Sequence, residues 1–129
     1  MKVLLDTNVF LKWAIGERLP GKVERLISSV TRDLLISIIT AWEIALKQNK
    51  FHAKGLTNAR IADAINLLGA QVLPILLKHI DTLSALPLHH QDPFDRMLIA
   101  QAISENAIVL SSDERFPLYR PAGLQVRWN

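Results

Sequence analysis

Asp92-Pro93-Phe94-Asp95-Arg96-Met97-Leu98-Ile99-Ala100-Gln101-Ala102 is the stretch from which the rest of this chain is read. Asp92 has the chemistry of a helix N-cap, and Pro93 suits the first helical position, where its missing N–H costs nothing. Asp95 then falls in the first turn, where the helix dipole favours a carboxylate. Its neighbours three, four and seven residues on are Leu98, Ile99 and Ala102, all apolar. Asp95 therefore lies on the face that turns to the core, near its rim, where an unpaired charge is costly. Two readings follow. Either both acids simply start a helix, or Asp95 faces a cation, and the other acids of the chain decide between them.

Working downstream, the helix ends near Glu105-Asn106. Ala107-Ile108-Val109-Leu110 is a buried strand, with Ser111-Ser112-Asp113-Glu114 just past its end. Tyr119 to Gly123 reads as a loop and Val126-Arg127-Trp128 as a last strand. Upstream, Lys78 to Leu86 is a helix stopped by Pro87. Val72-Leu73-Pro74-Ile75-Leu76 is strand-like, but its proline suggests an edge position or a short strand. Asn58 to Leu68 is amphipathic, and His52 to Thr57 is a loop containing Gly55. Thr40-Ala41-Trp42-Glu43 fits a capping box opening a helix to about Lys50. Leu34-Leu35-Ile36-Ser37-Ile38 is a continuous apolar strand, the pattern of parallel strands covered on both faces. Pro20-Gly21 opens a helix through Lys22 to Val30. At the start, Val3-Leu4-Leu5 is a strand, Asp6-Thr7-Asn8 a polar turn, and a helix follows as far as Gly16. Strands alternating with helices over this length predict one α/β domain, residues 1–129, around a mainly parallel sheet.

Composition narrows the class. The chain has 129 residues, half of them hydrophobic, with no repeat or low-complexity tract, so a single globular core is expected. No apolar run approaches the roughly 20 residues that span a bilayer, so no membrane role is expected. Asp6 follows Met1 too closely to leave room for a signal peptide. The absence of cysteine excludes disulfides and thiolate metal sites, and fits the cytoplasm. A formal net charge of +3 leans toward a polyanionic partner.

In open α/β sheets the ligand crevice lies beyond the carboxyl ends of the strands. Asp6 follows the first strand, Asp113 follows a later one, and Glu43 lies early in the helix after the second. Asp95, at the head of its own helix, can reach the same edge. Gathered carboxylates raise one another's pKa or take up a cation. Oxygen ligands without cysteine point to a hard ion, Mg²⁺ or Mn²⁺, and ions so held are used to cleave phosphodiesters. Each acid also has a plainer use: Asp6 as a helix cap, Glu43 as half of a capping box or partner of Lys47, Asp113 as a turn residue. Their shared edge favours the cation.

Val3-Leu4-Leu5-Asp6-Thr7-Asn8, Trp42-Glu43, Asp92 to Ala102 and Leu110-Ser111-Ser112-Asp113, in that order, resemble the motif series of PIN-domain ribonucleases. More narrowly, they are similar to the VapC-type toxins of bacterial toxin–antitoxin pairs. The resemblance implies a PIN-like three-layer α/β/α sandwich and a metal-dependent endoribonuclease. It implies Mg²⁺ or Mn²⁺ held by Asp6, Glu43, Asp95 and Asp113, with Thr7 or Asn8 and Ser112 as polar helpers. It also implies an RNA substrate, an antitoxin protein whose tail enters the acidic groove, and a homodimer.

Other residues are assigned more plainly. Asp92 is given to capping, with contact to a metal-bound water as the alternative, and Glu114 is the alternative to Asp113. Arg96 either pairs with Asp92 four residues back or contacts a phosphate. His89 and His90 are set aside as metal ligands, because adjacent histidines point in different directions on any regular element. Lys47, Lys50 and Lys54 form either a basic strip beside the site or a solvated helix face. The rival function is a catalytically silent PIN-like module that binds RNA or protein. A haloacid-dehalogenase-type phosphohydrolase with Asp6 as nucleophile is set aside, because Asn8 stands where that family places a second Asp.

Overall fold

A computed structural model describes residues 1–29, 33–52 and 55–128. Its centre is a five-stranded, wholly parallel sheet of β1 (Lys2–Leu5), β2 (Asp33–Ser37), β3 (Gln71–Leu73), β4 (Ile108–Leu110) and β5 (Gln125–Arg127). The order is β3-β2-β1-β4-β5, with Leu4 in register with Leu35 on one side and Val109 on the other. The unbroken apolar run of β1 has a direct cause. Val3 and Leu5 enter one core while Leu4 enters the other, and none of the three is exposed.

Helices α1 (Thr7–Ala14), α2 (Gly21–Ser28) and α5 (Asn58–Leu68) supply the first core through Phe10, Val23 and Ile61. Helix α7 (Pro93–Ser104) supplies the second through Leu98 and Ile99, with α6 (Leu77–Ser84) packed beside it. Helix α3 (Ile38–Leu46) sends Ile44 to the first core and Ile39 to the second. The result is the three-layer α/β/α sandwich that the sequence predicts. Among the described residues, no helix is long and apolar enough to cross a membrane.

Helix α7 begins as its sequence dictates. Asp92 Oδ1 accepts from the N–H of Phe94 at 2.8 Å and of Asp95 at 3.2 Å, with Pro93 in the first turn. Further along, the buried Gln101 accepts from Ser37 Oγ and donates to Pro74 O at 3.2 Å, tying α7 to the end of β2.

The capping box expected at Thr40–Glu43 is not formed. Ser37 caps the helix instead, accepting from Ile39 N at 3.0 Å, so α3 starts directly off the strand. Thr40 is left inside the first turn, and the helix stops at Leu46 rather than Lys50. A short α4 (Gln48–His52) follows and takes His52 out of the expected loop. The expected end of α2 at Val30 lies outside the described residues. The segment expected as a loop at Tyr119–Gly123 belongs to a 3-10 helix, Phe116–Ala122. Its first and fourth residues, Phe116 and Tyr119, are both fully buried, and Gly123 closes it at φ +107°.

The chain winds outward from β1 through β2 to β3, then returns to the other side of β1 for β4 and β5. The connections leaving β1 and β4 thus diverge, and a crevice opens at the carboxyl ends of those two strands.

Candidate active site

Asp6 is the first residue past β1. Its N–H donates to Leu110 O at 3.0 Å, fastening the turn to the end of β4. It stands at the N-cap of α1, yet its side chain makes no cap bond. Oδ2 accepts instead from Ser111 Oγ at 2.7 Å. Next to it the buried Thr7 shares a 3.0 Å hydroxyl–hydroxyl bond with Thr40 of α3, while Asn8 is exposed.

Glu43 sits on α3 with 8 % of its surface exposed. Oε2 pairs with Lys47 Nζ at 2.8 Å, the i,i+4 partner foreseen from the sequence. Oε1 is buried and has no hydrogen-bond partner among the described residues. A buried carboxylate oxygen without a donor is expensive. Something that supplies positive charge is therefore favoured beside it.

Asp95, on the first turn of α7, and Asp113, past β4, meet on one imidazole. His90 Nε2 lies 3.1 Å from Asp95 Oδ2 and 2.9 Å from Asp113 Oδ2. One donor or acceptor atom from each of these three residues lies within 4.8 Å of the others. Asp113 is further held through Oδ1, which accepts from Arg115 N at 2.8 Å. Its own N–H donates to Ser111 Oγ at 3.1 Å.

The electrostatics follow from burial and crowding. Burial first, then the charges of Asp6, Asp92, Glu43 and Asp113, push the Asp95 carboxyl up to about 8. Burial pushes Asp6 up to about 6, with Asp113 and Glu43 adding to the rise and Ser111 and the Thr7 N–H opposing it. Burial also acts upward on Asp113, but the Arg115 N–H and His90 together hold its carboxyl below the ordinary value. Four acids from β1, α3, α7 and the loop after β4 thus feel one another, as expected of acids brought to one sheet edge.

Several smaller expectations change. Ser111 rather than Ser112 reaches Asp6, because alternate residues leaving a strand face opposite ways and Ser112 is exposed. Arg96 does not pair with Asp92, whose carboxylate already serves the helix N–H groups. Its Nη1 donates to Pro87 O at 3.0 Å and to Tyr119 Oη at 3.2 Å. Glu114 is exposed, and Asp113 is the acid that joins the cluster. In the basic strip, Lys47 pairs with Glu43 and Lys54 lies outside the described residues.

The two histidines do point apart: His89 packs edge-on against Tyr119 at 5.2 Å, and His90 turns into the acids. The argument from adjacency concerns metal ligation by the pair and does not anticipate that His90 alone bridges two of the acids. Its clue was its place two residues before the cap, which lets Asp92 N donate to Nδ1 at 3.2 Å.

All donors here are oxygens except one imidazole, one oxygen is buried without a partner, and the acids repel. That set suits a hard divalent cation. Residues 3–121 match the model of the PIN domain. The chain belongs to the PIN-domain family. No curated protein matches this PIN domain. Its fold is similar to the VapBC2 structure of Rickettsia felis bound to a promoter DNA fragment, at 21 % identity, all of both chains covered and a TM-score of 0.74. It is also similar to DNA-bound VapBC of Salmonella typhimurium, at 21 % identity, 98 and 97 % of the chains covered and a TM-score of 0.71. VapBC-1 of nontypeable Haemophilus influenzae gives 21 %, 98 and 97 %, and 0.68. At such identities the likeness concerns the fold.

Proposed function

We propose that this PIN domain is a metal-dependent endoribonuclease serving as the VapC-type toxin of a toxin–antitoxin module. The observation that supports the chemistry is the set of four mutually repelling acids at the β1/β4 crevice, with Glu43 Oε1 buried and without a donor. Asp6, Glu43, Asp95 and Asp113 would hold Mg²⁺ or Mn²⁺. Once bound, such an ion supplies Lewis acidity toward an attacking water and toward the leaving oxygen of a phosphodiester.

The protein's own groups prepare that chemistry. Ser111 fixes one oxygen of Asp6, and Lys47 fixes one oxygen of Glu43. The Thr7–Thr40 bond locks the turn after β1 to α3, so Asp6 and Glu43 keep their spacing. Asp95, raised to about 8, carries a proton at neutral pH until a cation displaces it.

An antitoxin partner is supported by the fold likeness to chains from VapBC assemblies. A protein-facing surface, including a second copy of the chain, is supported by Ile38, Trp42 and Leu46. These recur every fourth residue along α3 and are 40, 52 and 63 % exposed. Incubating labelled single-stranded RNA with the purified protein, in EDTA and in Mg²⁺ or Mn²⁺, tests the nuclease. Cleavage only with the ion is expected. Cleavage at the same rate in EDTA would remove the metal reading. RNA binding without cleavage under every condition would favour the silent module.

A further inference from the structure

His90 is 2 % exposed and fully engaged, yet the reaction as described gives it no task. Its ring has a definite orientation. Nδ1 accepts from Asp92 N at 3.2 Å, so the hydrogen of the neutral ring sits on Nε2. That single N–H points at Oδ2 of both Asp95 and Asp113. A nitrogen that carries hydrogen cannot ligate a metal, so His90 cannot serve the cation directly while it keeps this bond.

The surroundings hold the ring there. Tyr119 Oη, fully buried, accepts from His90 N at 2.9 Å and from His89 N at 3.0 Å, and Arg96 Nη1 reaches the same oxygen. Phe116 meets the ring edge-on at 6.1 Å between centroids.

The carboxylate oxygens then divide in two. Both Asp113 oxygens are engaged, Oδ2 by His90 and Oδ1 by Arg115 N. One oxygen each of Asp6, Glu43 and Asp95 is engaged, by Ser111, Lys47 and His90. Among the described residues, the other oxygen of Glu43 is buried without a partner, and the second oxygens of Asp6 and Asp95 bond no other side chain, the Thr7 N–H lying beside the Asp6 carboxylate.

We propose that His90 is a positioning residue of the cation centre: its Nε2–H clamps Asp95 to Asp113, fixing the acids before an ion arrives and leaving one oxygen each of Asp6, Glu43 and Asp95 to meet it. This narrows the four-acid set above: Asp113, with both oxygens engaged, acts through the clamp rather than as a primary ligand. The inference rests on the cation-dependent reading above. Without the shared donor, nothing ties the Asp95 carboxyl to Asp113, and the ion must orient it itself. Orienting bonds of this kind commonly govern metal affinity by roughly 10- to 100-fold.

The test is Mn²⁺ affinity by calorimetry, with no substrate present, on wild type, His90→Phe, His90→Gln, Asp113→Asn and Asp95→Asn. Folding is checked for each by circular dichroism and thermal melting. His90→Phe keeps the ring against Phe116 but has no donor, and should bind about tenfold or more weakly. His90→Gln offers an amide N–H to the same oxygens and should recover most of the loss. Asp113→Asn should weaken binding less than Asp95→Asn does. Wild type needs no substitution for the other readout: ¹⁵N shifts of the metal-free protein should show the hydrogen of His90 on Nε2.

Equal or tighter Mn²⁺ binding by folded His90→Phe would overturn the clamp, as would Gln behaving like Phe, or the hydrogen residing on Nδ1. If wild type itself bound no Mn²⁺, the cation-dependent reading would fall, and the clamp with it. If wild type binds and only the variant pattern is wrong, the clamp alone falls.

Discussion

At the scale of single residues, Glu43 and Asp113 keep their plainer partners, Lys47 and the Arg115 N–H, while Asp6 declines its own. Asp6 stands at a cap position and caps nothing. Asp95 sits in a first turn, where a dipole interaction would contribute roughly 0.3–1 kcal/mol. Its carboxyl is nevertheless raised to about 8, so burial and the neighbouring acids outweigh the dipole. Asp95→Asn should therefore abolish most RNA cleavage while folding and RNA binding persist, measured on one preparation. Unchanged cleavage would return Asp95 to a capping role. Ser111→Ala should cost about 1–3 kcal/mol in urea unfolding at pH 8, because it strips the donor from a buried carboxylate oxygen; an unchanged midpoint would mean water replaces the hydroxyl. The four acids were legible because chain order and strand ends place them on one edge. Ser111 and His90 were not, since which of two neighbours faces inward depends on the register with which a strand ends and on how a loop is tethered.

At the scale of elements, α7 shows how much a local code can carry. Asp92 and Pro93 specify its start, and both roles are realised. Asp92→Ala leaves two N–H groups without their acceptor and should cost about 0.5–2 kcal/mol, whereas Asp92→Asn should cost little in stability. Chemical denaturation measures both; equal losses for the two would show that charge rather than capping matters there. The strands and the long amphipathic helices were readable for the same local reason, that their apolar periods are strong. The start of α3 differs from the sequence reading because Ser37, read there as part of the strand, caps the helix three residues ahead of Thr40. Which one wins depends on the strand handing the chain directly to the helix, and Thr40 then bonds Thr7 across 33 residues. The 3-10 helix at Phe116–Ala122 was missed because its two buried aromatics look like loop residues until α7 and the His89–His90 loop are packed against them.

At the scale of the whole molecule, the crevice acids set how stability depends on pH. Between the ordinary carboxyl value of 3.8 and their folded values, Asp6 at about 6 and Asp95 at about 8, the folded protein binds more protons than the unfolded chain. Stability must then fall as pH rises through that window. Glu105 works the other way and lower down. Lys78, His79 and Lys2 hold it at about 2, so its contribution is complete above its ordinary 4.5 and is lost on acidification below that. The two windows overlap only between 3.8 and 4.5, which places the stability maximum of the ion-free protein at about pH 4. A divalent cation at the acids replaces the protons, so it should raise the melting temperature strongly at pH 8 and little at pH 5. Asp95→Asn isolates the contribution of that one carboxyl. In EDTA, the variant should gain stability over wild type progressively from pH 5 to 8, and should lose most of the stabilisation by Mg²⁺ or Mn²⁺. Melting curves at three pH values, with and without the ion, measure both. A wild-type advantage that grows with pH in EDTA would mean that the Asp95 charge is already neutralised within the protein, and the crevice would then offer a cation little to do.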